Sequence, residues 1–148
     1  MQYKQIHRSE DGQRTYAVVL ETGEEVVKSL NSFVAAEKIG AAQLTAIGAF
    51  SDVVLMYFNW EKKSYTRIPV REQVEVASLI GDVAAAPDGK PSLHVHLVVG
   101  KRDGSAMAGH LGEAHVRPTL EVVVTENPAY LRKVKDAESG LPLIRPAA

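Results

Sequence analysis

The order of hydrophobic and polar residues indicates a chain built mainly of β-strands, with one helix near its beginning. A β-rich run at residues 16–20 predicts a first strand. After it, hydrophobic residues recur at the three- and four-residue spacing typical of one helix face, at Val26, Val27, Leu30, Phe33, Val34 and Ile39. Glu24 and Glu25 suit a helix N-terminus, and Gly40 suits the position that ends a helix. We therefore predict a helix over residues 24–39.

After Gly40 the pattern favours strands separated by turn-forming sequences. Seven further strands are predicted, over residues 44–49, 52–59, 64–69, 74–82, 93–100, 106–114 and 119–126. Residues 48–52 are predicted to form a tight bend between two of them, and a short second helix is predicted near residues 129–135. Because the strands follow one another with little helix between them, the sheet should be mixed or antiparallel. We expect an α+β domain with one main helix packed on that sheet.

Composition favours a single globular domain. The 148 residues are 45% hydrophobic and 24% charged, so we expect one domain with a core over about residues 14–126. The rest, residues 127–148, is a C-terminal tail, and its apolar stretch at residues 140–146 is expected to dock on its own subunit or on a neighbour. No apolar run is long enough to span a bilayer, and the N-terminal segment lacks the apolar core of a signal peptide. A cytoplasmic location with no membrane contact is the expectation.

Charge and cysteine content exclude several classes of function. The formal net charge is −1, which argues against the many phosphate contacts of a strong nucleic-acid binder. The chain has no Cys, which excludes a disulfide framework, a thiolate zinc site and a Cys nucleophile.

Three histidines carry the strongest chemical signal. His94 and His96 are two residues apart in a predicted strand, so their side chains share one face, opposite an aliphatic face. A three-residue loop at residues 102–104 would pair Lys101 with Ser105 and set His110 directly opposite His96. A two-residue loop would instead pair Val95 with His110 and turn His110 to the aliphatic face. The loop length therefore decides whether the three imidazoles converge.

Three neutral imidazoles with one open position form a known catalytic zinc arrangement. Nickel, copper, iron and manganese remain alternatives, as does a polar sheet surface that binds no metal. Glu121 is a single charge within an apolar strand, so it is the candidate general base or acceptor of an imidazole N–H, with an exposed strand position as the alternative. His7 and His115 are interpreted as ordinary surface residues.

Several short motifs together resemble the PPC domain, a domain of plants and prokaryotes that also occurs in plant AT-hook proteins. The motifs, within about residues 14–125, are Gly48-Ala49-Phe50-Ser51-Asp52, His94-Val95-His96, Gly109-His110-Leu111 and Thr119-Leu120-Glu121. The resemblance implies an α+β fold similar to acetolactate decarboxylase, a homotrimer, and a stand-alone prokaryotic member of the family. It also implies that His94, His96 and His110 hold a zinc ion.

Three hypotheses about function follow. The first is a trimeric zinc-binding protein that acts as a metal-dependent enzyme on a small molecule. The second is a DNA-associated regulator, as the plant relatives suggest. The net charge and the missing Arg-Gly-Arg-Pro hook argue against specific nucleic-acid binding. The third is a structural or interaction module without catalysis.

Overall fold

The computed structural model describes residues 1–127 and 131–146. The elements in chain order are β1 (Gln2–Arg8), β2 (Arg14–Glu21), α1 (Val26–Ala36), β3 (Ala42–Asn59), β4 (Ser64–Val70), β5 (Val74–Ala85), β6 (Pro91–Gly100), β7 (Ala106–Glu126), β8 (Lys133–Lys135) and β9 (Pro142–Ile144). Seven strands form one sheet in the order β1-β2-β7-β6-β5-β3-β4, and β8 pairs with β9 separately. All of these strand pairs are antiparallel. With a single helix of eleven residues in the described ranges, the structure fits the predicted α+β class only loosely.

The sheet closes on itself because two of its strands are unusually long. β3 has 18 residues and β7 has 21. The two strands pair with each other, and in addition β3 pairs with β5 and β7 pairs with β6. The predicted separate strands at 44–49 and 52–59 are therefore one strand, as are those at 106–114 and 119–126. The register between β3 and β7 shifts at residues 48–52, so the predicted bend is present but does not end the strand. Bulges bend a strand and interrupt its ladder only locally.

Gly48 allows β3 and β7 to approach closely at this bend. Its φ is +155°, and a Cβ placed there would lie 2.3 Å from the carbonyl oxygen of Thr119 and 2.8 Å from the Cα of Leu120. Both neighbours are backbone atoms, which cannot move aside as a flexible side chain would. The bend thus requires a residue without a side chain.

The helix is shorter at both ends than residues 24–39. Glu25 is its N-cap, and the Glu25 carboxylate accepts hydrogen bonds from the backbone N–H groups of Val27 and Lys28. The helix ends at Ala36 with Glu37 as its C-cap. Lys38 follows with a φ of 55°, and Ile39 N–H donates to the Val34 carbonyl oxygen at 3.0 Å. This is the Schellman arrangement, with Lys38 in the position usually held by glycine. The predicted stop at Gly40 was two residues late because a lysine seldom takes a left-handed conformation.

The core lies between α1 and the inner face of the curved sheet. Leu30 and Phe33 of the helix are buried against strand residues such as Tyr16 and Leu120. On β6 the burial alternates as predicted: Val95, Leu97 and Val99 are buried, whereas His94, His96 and Val98 are exposed. The face of the sheet that carries these histidines is called the outer face below.

The two ends of the chain differ from the sequence prediction. β1 was not predicted, because its residues are all exposed and lack alternation. Residues 131–135 are extended, with β8 at Lys133–Lys135, so the second helix is wrong there; the prediction for residues 129–130 lies outside the described residues. Within the tail, β9 pairs with β8, and Leu143 lies opposite Val134. The segment contacts the main sheet where Ala85 N–H of β5 donates to the Leu131 carbonyl oxygen. The one helix in the described residues is too short to cross a membrane.

Candidate metal centre

The turn between β6 and β7 has the three-residue form that brings the histidines together. Lys101 N–H donates to the Ser105 carbonyl oxygen at 2.8 Å, and Gly104 has a φ of +82°. The ladder then runs from Gly100 opposite Ala106 to His96 opposite His110. The register predicted for a three-residue loop is therefore confirmed.

His94, His96 and His110 form one cluster, called the histidine centre below. His94 Nε2 lies 3.1 Å from His96 Nε2 and 3.2 Å from His110 Nδ1. Tetrahedral zinc with Zn–N bonds of about 2.0–2.1 Å separates its ligand nitrogens by about 3.3 Å. The spacing thus fits three ligands of one ion. In the described residues, no other group of three metal-ligating side chains meets in this way.

The surroundings favour neutral imidazoles, which is the form that binds metal. Burial, together with the neighbouring His96 and His94, lowers the pKa of His110 to about 4. Burial and the neighbouring His94 also lower the pKa of His96, against an opposing effect of Asp82. A histidine must lose its proton before its ring nitrogen can ligate a metal. These two rings therefore carry free lone pairs at neutral pH.

Asp82 is the carboxylate that the structure brings to the histidine centre. It lies opposite His94 in the β5–β6 ladder, and its Oδ2 is 3.4 Å from His94 Nδ1. Burial raises the pKa of the Asp82 carboxyl, but the His94 imidazole and the Lys133 ammonium outweigh it, so the pKa is lowered overall. Sequence reasoning assigned Asp82 only to the end of a strand. The sequence feature that could have pointed to Asp82 is its place at the end of a largely apolar predicted strand. That feature does not reveal the contact with His94, because the contact depends on the register between β5 and β6.

The structure does not bring Glu121 into the cluster. Glu121 lies on the other half of β7, opposite Ile47 of β3 and Val19 of β2, and its side chain is exposed. It lines an open surface depression that also includes Glu75. The exposed strand position, which was the alternative interpretation, describes the placement of Glu121.

His115 and His7 lie outside the histidine centre, as predicted. The His115 ring is half-exposed, and its Nδ1 lies 2.9 Å from Asp52 Oδ1. Ser51 Oγ donates to the other oxygen of Asp52 at 2.8 Å. The Asp52 carboxylate raises the pKa of His115, and the pKa of Asp52 is lowered in turn. His7 is exposed on β1.

The histidine centre is open to solvent, and different residues lie on its two sides. On one side, the Tyr65 ring meets the His110 ring edge-on with centroids 4.9 Å apart, and Phe58 packs on Tyr65 at 5.3 Å. On the other side, a shallow depression beside His94 and His96 is lined by Gln43, Thr45 and Ile80. Tyr65 and Phe58 thus form a wall of the site.

Comparisons with known proteins agree with this architecture. The model of the Plants and Prokaryotes Conserved (PCC) domain matches residues 7–128. A protein from Bacteroides thetaiotaomicron, provisionally assigned as DNA-binding, has 30% identity and a TM-score of 0.88, with 97% of this chain and 96% of that chain covered. No curated protein matches the chain.

Two archaeal structures are similar as well. A metal-containing protein from Archaeoglobus fulgidus has 33% identity and a TM-score of 0.82, with 89% of this chain and 93% of that chain covered. A plant- and prokaryote-conserved (PPC) protein from Pyrococcus horikoshii has 32% identity and a TM-score of 0.83, with coverage of 91% and 93%. Because the family model spans most of the chain and these relatives match nearly end to end, the protein belongs to the PCC domain family, the PPC domain of the sequence analysis.

Proposed function

We propose that this protein binds one divalent metal ion, zinc in the first place, through His94, His96 and His110. The observation that carries the proposal is the spacing of the ligand nitrogens, 3.1 Å and 3.2 Å, which suits one tetrahedral ion. The metal-containing relative from Archaeoglobus fulgidus supports it. Nickel, copper, iron and manganese accept imidazole ligands too, so the metal itself must be measured.

Three protein ligands leave the fourth position of a tetrahedral ion free. At that position a bound zinc ion can polarise a carbonyl oxygen or lower the pKa of a water molecule. The chain leaves room for a small molecule at that position. His94 is close to half-exposed, and the depression lined by Gln43, Thr45 and Ile80 opens beside it. We propose that a small-molecule ligand, and in an enzyme the substrate, binds there with Tyr65 as the opposite wall.

Metal analysis of untagged protein, purified without a nickel column, tests the proposal directly. We expect about one equivalent of metal per chain, and re-addition of zinc to chelator-treated protein should restore it, because three imidazoles meet in the folded state. Mass spectrometry identifies and counts the ion. Protein that neither carries nor takes up any divalent metal would overturn the proposal.

We also propose that the protein is a homotrimer, as the family resemblance implies. Four aliphatic side chains are exposed on the outer face: Ile47 (62%), Ile80 (57%), Val98 (37%) and Val123 (45%). Exposed aliphatic residues grouped on one face suit contact with another subunit. The histidine centre lies on this same face, so a neighbouring subunit would supply further walls for it.

The variant Ile47→Lys tests the trimer. A lysine at this position would face Glu121 across the β3–β7 ladder, so the fold should tolerate it while the subunit contact loses an apolar residue. We expect light scattering to give three times the chain mass for the wild type and a smaller assembly for the variant. Ile6→Lys, on the exposed strand β1, is the matched control and should stay trimeric. A wild-type monomer at micromolar concentration would contradict the proposal.

Duplex DNA should bind weakly and without sequence preference. The net charge of −1 leaves few cationic side chains to displace counterions from the phosphate backbone. A gel-shift titration at about 150 mM salt measures this, since specific complexes typically reach nanomolar affinity there. A sequence-specific nanomolar complex would favour DNA binding, the function that is provisionally assigned to the relative from Bacteroides thetaiotaomicron.

A further inference from the structure

A buried lysine lies beside the histidine centre. The side chain of Lys133, the first residue of β8, is only 4% exposed. Its Nζ donates to the Ser92 carbonyl oxygen at 3.2 Å and lies 3.0 Å from Asp82 Oδ1, within ion-pairing distance. A lysine is almost never buried without a partner, because removing its charge from water is costly. The partner here is a carboxylate that also touches His94.

The two oxygens of Asp82 face different partners. Oδ1 lies near Lys133, and Oδ2 lies 3.4 Å from His94 Nδ1. The other ring nitrogen of His94, Nε2, is the atom close to both His96 and His110. Lys133, Asp82 and His94 thus form a continuous chain of side chains that ends at the candidate metal position.

We propose that Lys133 is a positioning residue for the histidine centre, an inference that rests on the proposed metal binding. Lys133 holds the Asp82 carboxylate so that it accepts the Nδ1–H of His94. With the proton kept on Nδ1, the lone pair of His94 is at Nε2, where the ion binds. Residues behind metal-bound histidines commonly fix the tautomer and ring orientation in this way.

The placement of β8 explains how a residue so far along the chain reaches the site. Ala85 N–H at the end of β5 donates to the Leu131 carbonyl oxygen at 2.9 Å, which fixes the segment beside the sheet. β8 then pairs with β9, so Lys133 belongs to a small hairpin and not to a single extended strand. The C-terminal hairpin thus contributes a charge to a site whose three ligands all come from β6 and β7.

The variant Lys133→Met tests this role by its effect on His94. Long-range ¹H–¹⁵N spectra of the metal-free protein should show the Nδ1–H tautomer of His94 in the wild type and a mixture of tautomers in the variant. Titration with zinc should show about 10-fold to 100-fold weaker binding by the variant. Lys101→Met is the matched control, since it removes an ion pair with Glu72 at 2.6 Å but leaves the Asp82 contact intact. The control should change neither measurement.

A second pair of variants keeps the test decisive if Lys133→Met does not fold. Asp82→Leu combined with Lys133→Met removes both charges, so that no buried charge is left unpaired. If Lys133 acts through Asp82, the double variant should bind zinc as weakly as Asp82→Leu alone. A further loss in the double variant would mean that Lys133 acts independently of Asp82, and would overturn the proposal.

The tautomer measurement separates this inference from the proposed function. It needs no metal, so a fixed Nδ1–H tautomer that is lost in Lys133→Met supports the positioning role whether or not zinc binds. A mixture of tautomers in the wild type overturns the role even if zinc binds well. Tighter zinc binding by Lys133→Met would also overturn it, because Lys133 would then only neutralise the charge of Asp82.

Discussion

Replacing His96 with alanine is expected to weaken zinc binding by at least about 100-fold and to leave the fold intact. The His96 ring packs against both other ligands, with centroids 3.9 Å from His110 and 4.9 Å from His94. A site with three protein ligands has none to spare. The core does not depend on this ring, because the buried side chains of β6 point to the opposite face. Metal content by mass spectrometry and circular dichroism measure the two outcomes.

His115→Ala is the control for this variant. His115 lies on β7 as His110 does, but its ring contacts Asp52 and not the histidine centre. We expect His115→Ala to keep both its metal and its circular dichroism spectrum. Equal metal content in the wild type and His96→Ala would refute the three-histidine site. If metal is present but no small-molecule substrate is turned over, the binding function stands and the enzymatic one loses support.

Replacing Gly48 with alanine is expected to lower the free energy of unfolding by about 3–5 kcal/mol. The added methyl group would overlap the Thr119 carbonyl oxygen at 2.3 Å, so β3 and β7 would have to separate at their bend. Domains are stable by only about 5–15 kcal/mol, so such a loss would remove roughly a fifth to all of the stability. Urea denaturation followed by circular dichroism measures the change.

Gly40→Ala is the matched control, with the same chemical change at an open position. A Cβ at Gly40 would meet no atom within 4 Å. We expect its effect on the free energy of unfolding to stay within about 1 kcal/mol. Similar destabilisation by both variants would mean that the close approach of β3 and β7 is not what requires glycine at position 48.

The histidine centre could be predicted from sequence because it depends on short-range geometry. Side chains alternate along a strand, which places His94 and His96 together, and one turn length fixes the position of His110. Asp82 could not be assigned in this way. Its contact with His94 depends on which strand lies on the other side of β6 and in what register, and no local pattern gives that information.

For a related physical reason, the sequence could not show that Glu121 lies away from the histidine centre. A single carboxylate in an apolar strand is compatible with a functional site or with the exposed side of the strand, and only the sheet order separates the two. Here the long bent β7 carries His110 and Glu121 on different halves, beside different parts of β3. The fold class was easier to predict, because the local sequence shows the strand patterns and one amphipathic helix. It does not show the bends that join two predicted strands into one long strand.

In the part of the chain that the structure describes, the closed pairing of the central strands leaves β1 and β4 as the free edges of the seven-stranded sheet. Free edges can recruit strands from other chains and so start aggregation. β1 carries Lys4 and Arg8, and its ladder shifts between Gln5 and His7; β4 contains Pro69, which has no N–H to donate. Charge, irregular register and proline are the features that block edge-to-edge pairing. The protein therefore combines a sheet-rich fold with edges that disfavour fibre growth. Association with other copies of the chain would then take place through the outer face.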